Sequence, residues 1–351
     1  MNVRLQMLGF AIVALPVMFN GLQAQEKTIQ TPTKADVTAA KANAKLPEYK
    51  VVKGVSGDLQ FNGSDTMIGE VTILAESFKK LYSNVTIGIE GEGSSFGPPA
   101  LISGKAQFIA MSRAMKAKEV DDFKKKFGYP PVALPTSIDM LTVYVHEDNP
   151  IKGLTLQQVD ALFSRTLKGG APNMLTKWGD LGLTGEWSSK PITLFGRNAA
   201  SGTNRFFREH ALFNGAFRED VQEQLGSSSV VQGVANNKYA IGYSGMGSKA
   251  DEVRALPLSQ DIKSEYYSPI PEHAYSGDYP LTRFLFLYVN YAPGTELKPL
   301  SREFLLYLYS NQGQSDVVRS GFLPVGDVIA TRALASVGIQ REDDATKQPV
   351  P

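Results

Sequence analysis

The sequence predicts an α/β protein of two domains, with mostly parallel sheets carrying helices on both faces. Three observations lead there. Short apolar runs alternate with stretches of helical periodicity in a βαβα order. The chain of 351 residues is too long for one small core and suits two domains of ordinary size. Three strand-like runs also end in Gly/Ser/Thr turns that open directly into helices.

The elements follow in order. "DLQFNGS" reads as a strand running into a glycine turn. "TMIGEVTILAESFKKLY" reads as a helix from about Thr66, with Met67, Val71, Leu74, Phe78 and Leu81 at helical spacing. "VTIGIEG" is a strand, "SSFGPPALISG" a helix start, "AQFIAMS" a strand and "AKEVDDFKKKFG" a helix. "LTVYVHE" is again a strand, "TLQQVDALFS" a helix, "PITLFGR" a strand and "NRFFREHALF" a helix. Near the end, "TRFLFLYVN" is a strand and "LSREFLLYLYSNQGQSDVVRSG" one long helical stretch. No internal repeat or low-complexity segment follows residue 57.

Ahead of these elements lie two segments of other character. Residues 1–24 carry one positive charge at Arg4, an apolar run from Leu8 to Phe19 interrupted by Pro16, and small or polar residues near Ala24. That run is short for a membrane span and reads as a secretory signal cleaved near Ala24. Residues 25–57 are polar and rich in Lys, Ala and Thr, and read as a flexible leader, with folded sequence from about Asp58.

Composition narrows the function. Apolar residues make up 42% and charged residues 20%, as in ordinary globular proteins, and the absence of cysteine excludes disulfides and thiolate metal sites. The formal charge is +1, and loss of residues 1–24 removes Arg4 and no acid, which brings it to zero. A neutral chain has no global field for collecting anions, so an anion site must rely on local donors. With no basic block, nucleic acid is a poor partner.

The donor-rich turns are Gly63–Met67 ("GSDTM"), Gly93–Gly97 ("GSSFG") and Ser201–Asn204 ("SGTN"). A helix start leaves N–H groups unpaired at the positive end of the helix dipole, and a nearby hydroxyl adds a donor. Such a turn suits an oxyanion. Singly, each is no more than an N-cap contributing about 1 kcal/mol. Together with Arg113 and Arg197, and at the carboxyl ends of parallel strands where α/β sheets bind ligands, they point to one anion site.

A rival reading exists for the second turn. Gly93–Gly97 also matches G-x-S-x-G between a strand and a helix, which would make Ser95 the nucleophile of a secreted serine hydrolase or phosphatase. Of the three histidines, His146, His210 and His273, only His273 lies where a base is reasonable. The histidines and acids show no metal-ligand spacing, so neither metal nor cofactor is expected.

"FNGSDTM", "EGEGSSFG", "AQFIAMSR", "RNAASGT", "YAIGYSG" and "YPLTRFLFLYVN", in that order, resemble the periplasmic phosphate-binding proteins that serve phosphate ABC importers. The resemblance spans about residues 58 to 325. It implies a two-lobed periplasmic-binding-protein fold of type II that closes over inorganic phosphate in the cleft between its lobes. Lobe one would hold residues 58–137 and 281–330, lobe two residues 138–280, with crossings near Pro135–Met140 and Tyr279–Thr282 and a tail from 331 to 351. It further implies a periplasmic, non-enzymatic monomer that delivers its ligand to a membrane permease. Use of the same fold as a scavenger or surface protein, without an importer, stays open.

The family's ligand donors carry over onto the backbone N–H groups of Thr66 and Met67, and onto Ser94, Arg197, Ser201, Gly202 and Thr203. Two positions depart from the pattern. Arg113 stands where the best-known members have an aspartate that accepts the proton of monohydrogen phosphate and so rejects sulfate. Asp139 and Asp65 are the replacement candidates, Asp139 slightly favoured, and Arg113 is expected to bind the ligand itself. Ala199 stands where an acid commonly orients the arginine of the jaw, so Arg197 needs another carboxylate or leans on the ligand. Selectivity among phosphate, sulfate and arsenate is left open by these changes.

Overall fold

The structure is a computed structural model that describes residues 46–248 and 250–341. The secretory segment, most of the leader and the last ten residues lie outside the described residues. Lobe one opens with β1 (Gly57–Gly63), α1 (Ile68–Leu81), β2 (Val85–Glu90), α2 (Gly97–Ser103), β3 (Phe108–Met111) and α3 (Ala117–Phe127). The apolar stripe of α1 explains why it forms: Val71, Leu74, Ala75 and Phe78 are all buried, and each large side chain contributes about 1.5–3 kcal/mol.

The chain then passes into β4 (Val132–His146), a strand of 15 residues. Lobe two follows with β5 (Leu154–Thr155), α4 (Leu156–Phe163), β6 (Thr193–Arg197), α5 (Gly202–His210) and β7 (Gln222–Gln224). It continues through α6 (Ser227–Ala235), β8 (Ala240–Gly245), β9 (Val253–Ala255), β10 (Leu258–Ser259) and α7 (Pro271–Ser276). The chain returns along β11 (Thr282–Val289) and finishes with α8 (Pro299–Leu308), α9 (Asn311–Arg319), β12 (Leu323–Pro324) and α10 (Asp327–Ser336). Among the described residues no helix is long and apolar enough to cross a membrane.

One curled sheet runs through both lobes in the order β2-β1-β3-β11-β4-β8-β6-β7. Within the lobes the strands are parallel: β1 to β2 and β3, β6 to β7 and β8. At the seam they are antiparallel, because one strand leaves lobe one and another returns to it. β4 pairs with β11 over residues 132–140 and with β8 over residues 141–145. The two crossings are tied together where Leu141 N–H donates to the Leu281 carbonyl at 2.9 Å.

Three stretches differ from the sequence expectation. Residues 46–56, read as leader, lie folded against lobe one. The ring of Tyr49 meets Phe78, Tyr82 and Tyr307, its hydroxyl donates to Glu303 Oε2 at 2.9 Å, and its N–H donates to Gln312 Oε1 at 2.9 Å. Leu46 and Val55 are buried beside it, and such scattered anchors have no period, so pattern reading passes over them. The long helical stretch near the end is two helices, because Ser310 Oγ accepts the Gly313 N–H at 3.2 Å and caps α9. The tail expected from residue 331 is folded as far as Arg341, which donates to Asp327 Oδ1 at 2.8 Å and Thr331 Oγ1 at 2.7 Å.

Glu70 of α1 faces the seam. Ser137 Oγ of β4 donates to its Oε2 at 2.7 Å, while its buried Oε1 has no partner. Burial pushes the carboxyl from an ordinary 4.5 up to about 7, against the hydrogen bonds from Ser137 and Thr136 and with Asp139 adding to the rise. The native state therefore holds a proton there that the unfolded chain has released, and stability falls as pH rises from 4.5 to about 7. Glu70→Gln should remove that slope, worth about 3 kcal/mol at 1.36 kcal/mol per pH unit. Urea midpoints at about pH 5 and about pH 8 check it; an unchanged slope in the variant counts against the assignment.

Candidate functional site

Four strand ends meet at the cleft. β1 ends at Gly63, whose φ of +127° and whose missing side chain are both required, since a Cβ there would lie 2.2 Å from the Ala110 carbonyl oxygen of β3. The turn that follows delivers Ser64, Asp65 and Thr66. β2 leads to Gly93 and Ser94, and Gly93 N–H donates to the Gly63 carbonyl at 2.7 Å, which joins the two turns. β3 delivers Ser112, whose N–H donates to Ser94 Oγ at 3.1 Å.

From lobe two, β6 ends at Arg197. Asn198 Oδ1 accepts the N–H groups of Ala200 and Ser201, each at 3.1 Å, and so shapes the turn. Ser201 Oγ then caps α5 by accepting the Thr203 N–H at 3.2 Å.

The two sides are in contact. Thr66 Oγ1 and Thr203 Oγ1 lie 2.9 Å apart in a hydrogen bond, and Ser95 N–H donates to the Ala200 carbonyl at 3.2 Å. A Cβ on Gly202 would fall 2.4 Å from Ser94 Oγ and 2.5 Å from Ser112 Oγ. Ser94, Ser112, Ser201 and Thr203 are buried. The cleft is closed.

Two arginines and two aspartates make up its charge. Arg197 is buried, donates to Ser227 Oγ at 2.7 Å and to the Leu225 carbonyl at 2.9 Å, and is ion-paired with Asp65 Oδ2 across the cleft. Arg283 of β11 donates to Asp139 Oδ2 from Nε at 2.9 Å and from Nη2 at 2.7 Å. It also donates to the Ser112 carbonyl and to Thr203 Oγ1, each at 2.9 Å. The guanidinium lies 5.2 Å from the centre of the Phe206 ring.

The aspartates differ. Asp139 uses both oxygens, since its Oδ1 accepts the Met246 N–H at 3.0 Å. Asp65 keeps one buried oxygen, Oδ1, without a partner. Burial pushes the Asp65 carboxyl upward, and the Arg197 charge beside it pulls it only part of the way back. Burial also pulls the Arg283 guanidinium down, with Asp139 opposing, and an arginine keeps its proton through such a shift. The four charges sum to zero, so an incoming anion meets a preorganised neutral cluster rich in hydroxyl and N–H donors.

Of the residues singled out in the sequence, Asp65, Thr66, Ser94, Asp139, Arg197, Ser201, Gly202 and Thr203 gather here. Two do not contribute as expected. Met67 sends its side chain into the core, and its N–H donates to the Ser64 carbonyl at 3.1 Å. Arg113 is engaged elsewhere: its Nη1 and Nη2 both donate to Glu119, each at 2.8 Å, and Glu119 in turn accepts the Lys116 N–H at 2.7 Å at the start of α3. A bidentate pair this well buried leaves Arg113 little to offer a ligand in the cluster. Two residues were missed, Ser112 and Arg283. The signal for Arg283 was a lone cation inside "TRFLFLYV", every residue of which is buried. The carboxylate that replaces the acid absent at Ala199 is Asp65, supplied by the opposite lobe.

No histidine bonds a serine hydroxyl among the described residues. His273 Nδ1 is 2.8 Å from the Ser268 carbonyl, His210 Nδ1 is 3.0 Å from the Phe206 carbonyl, and His146 Nδ1 accepts the Asp148 N–H at 3.2 Å. Among the described residues no three His, Cys, Asp or Glu side chains gather as a metal site.

Residues 33–312 match the model of the PBP superfamily domain. The phosphate-binding protein PstS of Pseudomonas aeruginosa is 47% identical over 294 residues, which cover 84% of this chain and 91% of that protein. A Clostridium perfringens substrate-binding protein solved with bound phosphate superposes with a TM-score of 0.65 at 23% identity, covering 77% of this chain and all of the other. An ABC-type phosphate transport receptor from Vibrio cholerae gives 0.58 at 20% identity over 76% of this chain and 99% of its own. The two structures share the fold.

Proposed function

Because this chain belongs to the PBP superfamily and, within it, to the PstS phosphate-binding proteins, we propose that it captures inorganic phosphate between its lobes and delivers it to a membrane ABC importer. It acts as an exported periplasmic receptor that binds stoichiometrically without turnover. It works as a monomer, because the lobes must part and close around the seam at Met140–Leu141 and Leu281–Thr282.

The observation that carries this reading is the convergence of Thr66 and Ser94 from lobe one with the Ser201–Thr203 helix start from lobe two, beside two buried guanidinium groups. Hydroxyls, helix-terminal N–H groups and the two arginines are suited to surround a tetrahedral dianion, and closure removes the water that would screen them. Asp65 fits the role of proton acceptor better than Asp139, since Asp65 alone keeps a free buried oxygen. A sulfate dianion brings no proton to that oxygen and meets an unpaired carboxylate.

Isothermal titration of the mature, phosphate-stripped protein tests this. One phosphate is expected to bind per chain, with no sulfate heat. Asp65→Asn should shrink the ratio of phosphate to sulfate affinity by about 100-fold, about 2.8 kcal/mol at 1.4 per tenfold. The ratio is the readout, because the same substitution also breaks the pair with Arg197. Equal binding of both anions by the unaltered protein would remove the carboxylate from the selectivity argument.

A further inference from the structure

The formal charge of the whole chain is only +1, yet a cavity of about 410 Å³ between the lobes is lined by four cations and a single acid. Arg113 and Arg283 form its floor, with side chains only 3% and 2% exposed, and Lys116 and Arg205 stand at its rim, 40% and 32% exposed. Among the lining residues the one acid is Glu209, which pairs with Arg205 at 2.6 Å. Behind the lining, Glu119 pairs with Arg113 at 2.8 Å and lies 3.9 Å from Lys116 Nζ, and Asp139 pairs with Arg283 at 2.7 Å, so the four cations meet three acids and leave an excess of one positive charge. Arg113 and Lys116 come from lobe one, Arg205 from lobe two, so the cations face one another across the opening. Burial and then Arg113 hold the Lys116 ammonium below its ordinary range; Glu119 opposes, and Arg205 and Arg208 add to the lowering.

Arg283 belongs to both places. It lines the cavity and also holds Thr203 Oγ1 in the closed cluster, with Phe206 of the cavity wall lying over its guanidinium. We propose that this cavity is the vestibule through which the anion enters, with Lys116 and Arg205 drawing it electrostatically from the rim toward Arg283. The inference rests on the phosphate-binding reading and adds to it a route and two steering residues outside the clamp. Low-dielectric walls with an excess of one sign of charge concentrate the field and raise association rates, an effect that falls steeply with salt. The paired Arg113 fits this scheme, because it contributes to the cavity floor without touching the closed cluster.

Rapid-mixing kinetics with inorganic phosphate decide it, at about 20 mM and about 500 mM salt, where the screening lengths differ several-fold. Lys116→Gln should lower the association rate constant about 3-fold at low salt and Lys116→Glu about 10-fold, within the range for steered encounters. Both should converge on the unaltered protein at high salt, with unchanged dissociation rates, and Lys116→Arg should retain the full rate. An association rate indifferent to these substitutions, with the same salt slope, overturns the vestibule while equilibrium phosphate binding stands. Loss confined to the dissociation rate also overturns it, because that would make Lys116 a ligand contact. Absence of phosphate binding in the unaltered protein overturns the functional reading itself.

Discussion

Gly202→Ala should weaken phosphate binding by about 10- to 100-fold while leaving the ligand-free protein as stable as before or slightly more so. The added methyl group would sit 2.4 Å from Ser94 Oγ and 2.5 Å from Ser112 Oγ, both across the cleft. Ser94 cannot simply swing away, since its Oγ accepts the Ser112 N–H and shares a 3.2 Å hydrogen bond with Ser112 Oγ. Overpacking of this kind costs about 1–3 kcal/mol, here charged to the closed form alone. In the open form the methyl group meets water, and alanine in the first turn of α5 is a better helix former than glycine by about 0.5–1 kcal/mol. Titration with phosphate beside thermal unfolding separates the two effects. A variant that binds normally would mean that the cleft closes less tightly around its ligand than the structure has it.

Arg283→Met is expected to have the larger effect, because it acts on fold and site together. It strands Asp139 with a buried, unpaired oxygen, and breaking a buried ion pair from one side costs about 3–5 kcal/mol. Phosphate affinity should fall by about 1,000-fold, equivalent to about 4 kcal/mol. The double variant Arg283→Met with Asp139→Leu removes both charges and should recover most of the urea resistance, since well-packed apolar replacements of buried pairs are often neutral. Binding should stay lost in the double variant. Recovery of binding along with stability would confine Arg283 to a structural role.

How far the sequence could be read depends on how local each interaction is. The turn glycine at Gly63, the Asx-type turn at Asn198 and the cap at Ser201 are settled by neighbours in the chain, so their residue types announce them. The arginines are not. Arg113 and Arg283 both stand at or in buried strands, and nothing short-range says that the first is paired with Glu119 six residues on and the second with Asp139 at a separation of 144. The pairing of Asp65 with Arg197 spans 132 residues and exists only because two lobes close. For the same reason Asp139, placed in the seam strand, reads from sequence as a free acceptor, whereas Arg283 and the Met246 N–H occupy both its oxygens. Tyr49 shows the limit for packing: with Leu46 and Val55 it docks a polar segment, and three scattered residues make no pattern.

The strand order also governs how the protein can be assembled from its N-terminus onward. β11 lies between β3 and β4, although both precede it by well over a hundred residues. Lobe two's strands β8, β6 and β7 are all present once Gly245 has emerged, but β3 and the first half of β4 expose unpaired edges until residues 282–289 arrive to fill the space between them. Open edges of this kind are templates for wrong pairing with another chain. A nascent chain that stops short of β11 therefore holds a finished second lobe and an unsealed first one, and it is in that interval that a holding chaperone has most to protect.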